Sequence, residues 1–337
     1  MTAQHLETAM RTLRVGILGA AKIAPKAVIV PARDNPEFEI VAVAARDKDR
    51  AEAFAAENSI PFVAEDYSAL IARDDVDLVY VALPPAGHEL WSIEAVKSGK
   101  AVLCEKPFAM TADEARRMVS AAADAGQPLI EAFHYRYHKV MRRAVEIVVS
   151  GELGQLSHAD IVFDVPIPYR PGELRWIVTQ GGGGALMDLG CYCVHAARTL
   201  AQCEPTVARA HCTIVRGVDE TTVAGLEFPN GLRASIRTSM KADGYNATLH
   251  LKSEKGSLDI VNFLAPQNGC TFTVEVGGKT RVEPTDGPTT YAAQLAHVGD
   301  VLLRGAKPLT AGDDAINNMA CIDAIYAAAG FKRAIEG

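Results

Sequence analysis

The stretch Ala101-Val102-Leu103-Cys104-Glu105-Lys106-Pro107 decides the fold. Ala101 to Cys104 carry short or apolar side chains, the composition of a strand buried on both faces of a parallel sheet. The run then stops at an acid, a base and a proline. Pro107 donates no backbone hydrogen bond and fixes its own φ, so the strand ends there. Open parallel sheets bind their ligands at the carboxyl ends of the strands, and a lysine at that place reaches a ligand from a rigid support. The plainer reading is a strand-end ion pair between Glu105 and Lys106 on a wet rim. The rest of the chain decides between the two.

Upstream, strand and helix alternate, the pattern of a parallel sheet covered on both faces. Strands are expected at 13–18, 38–44, 77–83, 101–104 and 129–132. Helices are expected at 23–32, 47–57 and 89–97, with Pro25 in the first turn of one and Asp47 capping another. Thr111 and Glu114 form a capping box for the next. The turn after the first strand, Gly19-Ala20-Ala21-Lys22-Ile23-Ala24, follows the dinucleotide fingerprint G-x-G-x-x-G/A with Ala21 at the second glycine position. Backbone N–H groups and a helix start would hold a phosphate there. The second strand ends Val43-Ala44-Ala45-Arg46-Asp47, with Arg50 four residues beyond Arg46. Two arginine forks suit a ribose 2′-phosphate, so NADP is expected over NAD, although both arginines could be surface residues of a solvated helix.

After residue 131 the alternation stops. A helix at 140–149 precedes long alternating strands at 157–165, 206–215, 221–228, 232–239, 247–251 and 271–276, and Asn230-Gly231 marks a hairpin. Helices at 291–303 and 312–329 close the chain. The expected organisation is a loose tail (1–11), a nucleotide domain (12–132) and a second α/β domain (133–337) with a large, mostly antiparallel sheet. Within the latter, Gly181-Gly182-Gly183-Gly184 would let backbone approach a ligand before a helix begins. Asp188 and Tyr192, four apart, share one face of that helix. His195 lies on the same stripe and is read as a satisfied core histidine.

The 337 residues suggest about two domains. A net charge of −7 and no dense basic run argue against nucleic acid or an anionic membrane as partner. There is no apolar stretch long enough to span a membrane, and Met1 to Met10 lack a signal-peptide core. Seven cysteines without a CxxC pair fit reduced thiols in a cytoplasmic protein. No metal site is expected. His134 and His138, in His134-Tyr135-Arg136-Tyr137-His138, lack a neighbouring glutamate and a third ligand; that segment is expected to line the substrate cleft.

Together the Gly19–Ala24 turn, Glu105-Lys106-Pro107 and the Gly-Gly-Gly-x-x-x-Asp-x-Gly-x-Tyr stretch resemble the Gfo/Idh/MocA oxidoreductases over nearly the whole chain. Val41-Ala42-Val43-Ala44-Ala45-Arg46-Asp47 and Tyr192 look most like the branch of NADP-dependent dihydrodiol and D-xylose dehydrogenases and glucose–fructose oxidoreductase. Many family members carry His where Tyr192 stands, and Ala21 replaces a commoner Gly. The resemblance implies a Rossmann domain beside an α/β domain whose open sheet often mediates oligomerisation, here a homodimer or homotetramer. It implies reversible hydride transfer at a hydroxyl- or carbonyl-bearing carbon, commonly on a sugar. Lys106, Asp188 and Tyr192 match the catalytic group. Gly19, Ala20, Ala21, Lys22, Ile23, Ala45, Arg46, Arg50, Leu83, Pro84, Glu105 and Lys106 are expected to contact the cofactor. Arg175, Trp176 and Tyr291 are expected near the nicotinamide, and His88 in a loop that covers it. Tyrosine is a poor base at neutral pH; a nearby Lys106 ammonium would favour its phenolate, and Tyr192 would then exchange the substrate hydroxyl proton. The rivals are a non-sugar substrate such as a trans-dihydrodiol, and a catalytically silent NADP-binding sensor.

Overall fold

The computed structural model describes residues 11–335; residues 1–10 of the expected tail lie outside them. Five parallel strands, β1 (Leu13–Leu18), β2 (Phe38–Ala44), β3 (Leu78–Val81), β4 (Ala101–Cys104) and β5 (Leu129–Glu131), form a sheet in the order β2-β1-β3-β4-β5. β3 and β4 are buried along their whole length, which is why they read as unbroken apolar runs. The order places β1, β3 and β4 side by side, so the turns after these strands open on one edge.

The helices of this half are α1 (Val30–Arg33), α2 (Lys48–Asn58), α3 (Tyr67–Ile71), α4 (His88–Lys97) and α5 (Ala112–Ala125). The helix expected at 23–32 begins as a π-helical turn, Pro25–Ile29, with Pro25 at its first position, and only then becomes α1. Asp47 caps α2 by accepting from Arg50 N. Thr111 caps α5, but the Glu114 carboxylate reaches Met110 N instead of closing the box on Thr111. The α3 helix was not anticipated; its single turn is too short to show a period.

The second sheet has eight strands: β6 (Leu156–Asp164), β7 (Thr206–Val215), β8 (Val218–Glu227), β9 (Arg233–Ser239), β10 (Asn246–Ser253), β11 (Gly256–Val261), β12 (Thr271–Val276) and β13 (Lys279–Val282). Their order is β13-β12-β11-β10-β6-β9-β8-β7. All neighbours run antiparallel except β6 and β9, which are parallel. The Asn230-Gly231 hairpin joins β8 to β9, Gly231 N donating to Phe228 O. β11 and β13 were not anticipated: Gly256-Ser257 opens one and Lys279-Thr280-Arg281 makes up most of the other. One face of the sheet carries Ala159, Ile161, Phe163, Ala234, Ile236, Leu249 and Leu251 into the core. It is packed by α8 (Cys191–Ala201) and α10 (Asp313–Ala328), with α6 (Lys139–Val149) behind α8. Two further helices are α7 (Val178–Gly181) and α9 (Thr290–Arg304).

Although late in sequence, α9 packs into the first half. Its Tyr291, Leu295, Val298 and Val301 share a core with Leu13, Val15, Ile17 and Tyr80. The larger core runs from Val81, Val102 and Cys104 of the parallel sheet through Phe133 and Tyr135 to Tyr192 and Ile161. Among the described residues no helix is long and apolar enough to cross a membrane, and all seven cysteines are unpaired.

Candidate active site

The site lies where the carboxyl edge of the parallel sheet meets the start of α8. Lys106 follows β4, and its Nζ donates to Asp188 Oδ1 and to Asp188 O, both at 2.8 Å. The two side chains retain only 15% and 18% of their exposure. Arg175, in a short 3-10 turn (Leu174–Trp176), donates from Nε to Asp188 Oδ2 at 3.0 Å and from Nη1 to Glu173. Burial alone would raise the Asp188 carboxyl, but Lys106 and Arg175 outweigh it and hold the group down to about 2. Burial alone would lower the Lys106 ammonium, and Asp188 reverses that. Both are therefore charged at neutral pH, each because of the other. The strand-end pair between Glu105 and Lys106 does not form: Glu105 turns to Tyr80, whose hydroxyl donates to Oε1 at 2.5 Å.

Tyr192 sits in the first turn of α8, its ring centroid 5.1 Å from Lys106 Nζ. Its hydroxyl meets His134 Nε2 at 3.2 Å. The phenol is pushed well above its ordinary value by burial, with Tyr291, Cys191, Glu105 and Asp188 acting in the same direction. This corrects the expectation that Lys106 lowers it. The ammonium is spent on Asp188, and the resting Tyr192 is a neutral phenol. Asp188 also differs from the simple helical stripe. It lies in a π-helical turn, Leu186–Gly190, ahead of α8, and its carboxylate is aimed at Lys106 and Arg175.

The tetraglycine stretch serves packing. Gly182, Gly183 and Gly184 are buried with positive φ. At Gly184 (φ +92°) an added Cβ would lie 1.8 Å from Asp219 Oδ1. Asp219 is fully buried and accepts from Leu186 N at 2.8 Å, Thr222 Oγ1 at 2.7 Å and Tyr326 OH at 2.7 Å. The glycines thus let the chain pass over Asp219, which pins the start of the turn carrying Asp188.

On the nucleotide side, Gly19 (φ +101°) lies so close to Ala82 O that a Cβ would stand 2.6 Å from it. Its N–H is spent on Ala44 O, and Ala24 N–H on Ala21 O. The N–H groups of Ala20, Ala21, Lys22 and Ile23 have no partner among the described residues. Arg50 Nη2 donates to Ala20 O at 2.7 Å, fastening this turn from α2; Ala45 is half-buried and Arg46 exposed beside it. Leu83 and Pro84 border the same edge, half-buried. His88 does not face the site. It is fully buried, with Nδ1 3.0 Å from Pro107 O and Nε2 2.9 Å from Leu83 O. Burial keeps the ring neutral, so its single N–H donates to one of these carbonyls, and the ring lies between the loops after β3 and β4. Trp176 Nε1 donates to Ile167 O, and Tyr291 stacks on His134 with centroids 4.1 Å apart.

Of the histidines left open by sequence, His195 is a satisfied interior residue between Tyr135 OH (2.6 Å) and Asp314 Oδ2 (3.0 Å). His138 caps α6 through Val140 N. His134 alone reaches the site, and Thr290, which meets its other nitrogen, was missed. Its one signal was adjacency to Tyr291 at a helix start. Among the described residues no cluster of His, Cys, Asp and Glu could hold a metal ion.

A dinucleotide-type sheet with an unspent phosphate turn and a charged lysine–aspartate pair beside a buried tyrosine is the framework of a nicotinamide-dependent oxidoreductase. Residues 13–133 match the family model described as "Oxidoreductase family, NAD-binding Rossmann fold". Residues 141–259 match the GFO/IDH/MocA C-terminal domain. The chain belongs to the GFO/IDH/MocA family. It is 34% identical to D-xylose 1-dehydrogenase (NADP(+)) 2 of Haloferax volcanii, over 95% of this chain and 98% of that one. It is 34% identical to trans-1,2-dihydrobenzene-1,2-diol dehydrogenase of Mus musculus, over 75% and 76%. The crystal structure of a 3-ketoreductase from Actinomadura kijaniata with NADP and TDP-benzene superposes with a TM-score of 0.85 at 26% identity, covering 94% of this chain and 98% of that one.

The packing of Gly184 carries a stability prediction. Gly184→Ala adds a Cβ against Asp219 at a positive φ, so unfolding stability should fall by about 2–4 kcal/mol. Thermal and urea melts followed by circular dichroism measure this; an unchanged midpoint would show that the turn relaxes freely.

Proposed function

We propose that this chain is an NADP-dependent oxidoreductase acting on the hydroxyl- or carbonyl-bearing carbon of a sugar or polyol-like substrate. Tyr192 is the acid/base, and Lys106 and Asp188 fix the charge around it. The observation that carries this reading is the buried Lys106–Asp188 pair at the end of β4, with the Tyr192 ring beside the ammonium. The names of the relatives point the same way, and the presence of all three groups counts against a silent sensor.

The residues present fit the cofactor. Four unspent N–H groups at the Gly19 turn suit a pyrophosphate. Arg46 and Arg50, at the end of β2 and in the first turn of α2, suit a 2′-phosphate. Bound there, the nicotinamide supplies or accepts the hydride. Everything else falls to this chain. In the reductive direction the neutral Tyr192 phenol holds the proton that the carbonyl oxygen needs. In the oxidative direction its phenolate must take the hydroxyl proton, and the Lys106 ammonium is the nearest charge that favours it. Asp188 keeps Lys106 charged and, through Oδ2 and Arg175, anchors the loop over the cleft. Phe163 packs on Tyr192, and the half-exposed Tyr245 packs on Phe163, with centroids 5.7 and 5.6 Å apart. The exposed Tyr245 ring offers an apolar face for the less polar side of a sugar ring.

Tyr192→Phe should lower kcat by about 10²-fold or more, with NADPH binding by fluorescence preserved. The assay is NADP⁺ reduction, or NADPH oxidation in reverse, against aldoses, polyols and dihydrodiols. Full activity in the variant would remove Tyr192 from the chemistry, and the pool member that supports turnover names the substrate class.

Arg46→Ala should weaken NADPH about tenfold or more while changing NADH little, the scale of one charge-assisted phosphate contact. Equal loss for both cofactors would refute the 2′-phosphate assignment.

The outer face of the eight-stranded sheet is proposed as the contact between copies of the chain. Val223 and Val261 stand 43% and 52% exposed on its strands. Light scattering at micromolar concentration should give two or four times the chain mass; a monomer would overturn this.

A further inference from the structure

Behind Tyr192 stands a second, fully enclosed pair of groups that the acid/base reading does not use. His134 opens a 3-10 turn, His134–Tyr137, directly after β5. Its Nε2 lies 3.2 Å from Tyr192 OH and its Nδ1 2.8 Å from Thr290 Oγ1. Thr290 is the first residue of α9 and has no exposed surface. Its hydroxyl has no other partner among the described residues, and its backbone N–H reaches Gln267 Oε1. The His134 ring is clamped between neighbours, tilted on Tyr291 and edge-on to Tyr192. Three elements distant in sequence therefore converge in one line, Thr290 to His134 to Tyr192.

The ionic state of the line follows from its surroundings. Burial holds the imidazole down to about 3, and the ammonium groups of Lys106 and Lys26 push the same way. His134 is neutral at any working pH and carries one ring N–H. Two arrangements satisfy the contacts. In one, Tyr192 donates its proton to Nε2 and Nδ1–H donates to Thr290. That arrangement spends the only proton Tyr192 has for a substrate. In the other, the Thr290 hydroxyl donates to Nδ1, the ring proton stands on Nε2, and Nε2–H donates to the phenolic oxygen.

We propose that the second arrangement is the working one, so that Thr290 and His134 form a one-way donor chain that points the Tyr192 proton at the substrate and stabilises the phenolate left behind. The proposal rests on Tyr192 being the acid/base. The proton balance is simple. In reduction the Tyr192 O–H bond breaks and its proton goes to the substrate oxygen as the carbon gains hydride. The phenolate is then held by the Nε2–H donor and the Lys106 ammonium, and regains a proton from solvent once product has left. His134 and Thr290 neither gain nor lose a proton. They are positioning residues, acting through Tyr192. The titratable and charged groups that face the pair are Lys106 from β4, Lys26 from the first helical turn, Tyr291 from α9, and Asp188, Cys191 and Glu105. Removing the threonine hydroxyl alters none of them.

The test compares Thr290→Val with Thr290→Ser in the full-length protein. Oxidation requires the phenolate, so its rate rises with pH through the working pKa of Tyr192. Without the Thr290 hydroxyl to hold Nδ1 unprotonated, the imidazole is free to carry its single proton away from Tyr192; the phenolate then loses its Nε2–H donor, its pKa rises and the rising limb of kcat/KM moves to higher pH. Thr290→Val should shift the limb upward by about one pH unit, the scale of one hydrogen bond to a charged group. Thr290→Ser, which keeps the hydroxyl, should restore it. A limb that stays in place, moves downward, or moves equally in both variants would overturn the chain. Should Thr290→Val not fold, His134→Phe against His134→Gln asks the same question, since the amide keeps an N–H donor and the phenyl ring does not. Tyr192→Phe, run alongside, separates the two readings. Full activity in that variant fells the acid/base assignment. A dead Tyr192→Phe with an unmoved Thr290→Val limb fells the donor chain alone.

Discussion

The ion pair between Lys106 and Asp188 is the contact on which the rest of the site depends. It joins the end of a parallel strand in one half of the chain to a π-helical turn in the other. Neither charge would be tolerated where it sits without the other, because an unpaired buried ion costs several kcal/mol. The pair therefore works as a registration device. Only when the two halves are docked in one way can both be ionised, and that docking also brings the Tyr192 ring beside the ammonium. Arg175 takes the remaining carboxylate oxygen, which ties the segment after β6 to the same point.

Two supports hold the partners of this pair in place, one on each side. On the sheet side, the buried His88 ring lies between Leu83 O and Pro107 O and donates its one N–H to one of them. The ring thus packs the loop after β3 against the loop after β4 that carries Lys106. On the other side, Asp219 gathers Leu186 N, Thr222 and Tyr326 beneath the glycines. Burial raises its carboxyl against these three donors, a cost carried to fix the turn containing Asp188. Both supports are made of interior polar groups that never touch a ligand-facing surface.

How far this was legible in sequence depends on which force shaped each part. β1, β2 and β12 fall within their expected bounds because burial imposes apolar runs or alternation on them; β7, an edge strand with no buried residue, does so on its Thr, Val and Ile content. β13 escaped because Lys279 and Arg281 make an exposed edge strand, and β11, interior to the sheet, because Gly256 and Ser257 at its start leave only Leu258 and Ile260 to show an alternation. The Glu-Lys-Pro and Gly-rich motifs singled out Lys106, Asp188 and Tyr192 as candidates, and the fold brings the three together. Their electrostatics were not readable from the motifs. Nearness in a motif suggested that Lys106 would lower the tyrosine; only the fold shows that Asp188 takes the ammonium first. The glycines misled for a similar reason. A glycine run reports that something approaches the backbone, and here it is the Asp219 carboxylate. Thr290 left almost no trace, since its role exists only because α9 returns to the first half of the chain.

The contrast between two buried histidines shows why the proposed donor chain takes the form it does. His195 and His134 are both enclosed, and burial disfavours a charge on each. His195 faces Asp314, which Arg198 also binds and which is held down to about 2. That carboxylate compensates whatever charge His195 carries, and the set is structural. Among the described residues no carboxylate is within hydrogen-bond reach of His134. Its polar neighbours are two hydroxyls, and the nearest charges are the ammonium groups of Lys106 and Lys26. An imidazolium there would add a further cation to a site that already relies on one. A phenolate formed at Tyr192 can still be stabilised without that cost, through dipoles already aligned before reaction. A neutral imidazole whose proton is placed by a buried threonine is such a dipole, and it leaves the single positive charge of Lys106 to do the electrostatic part.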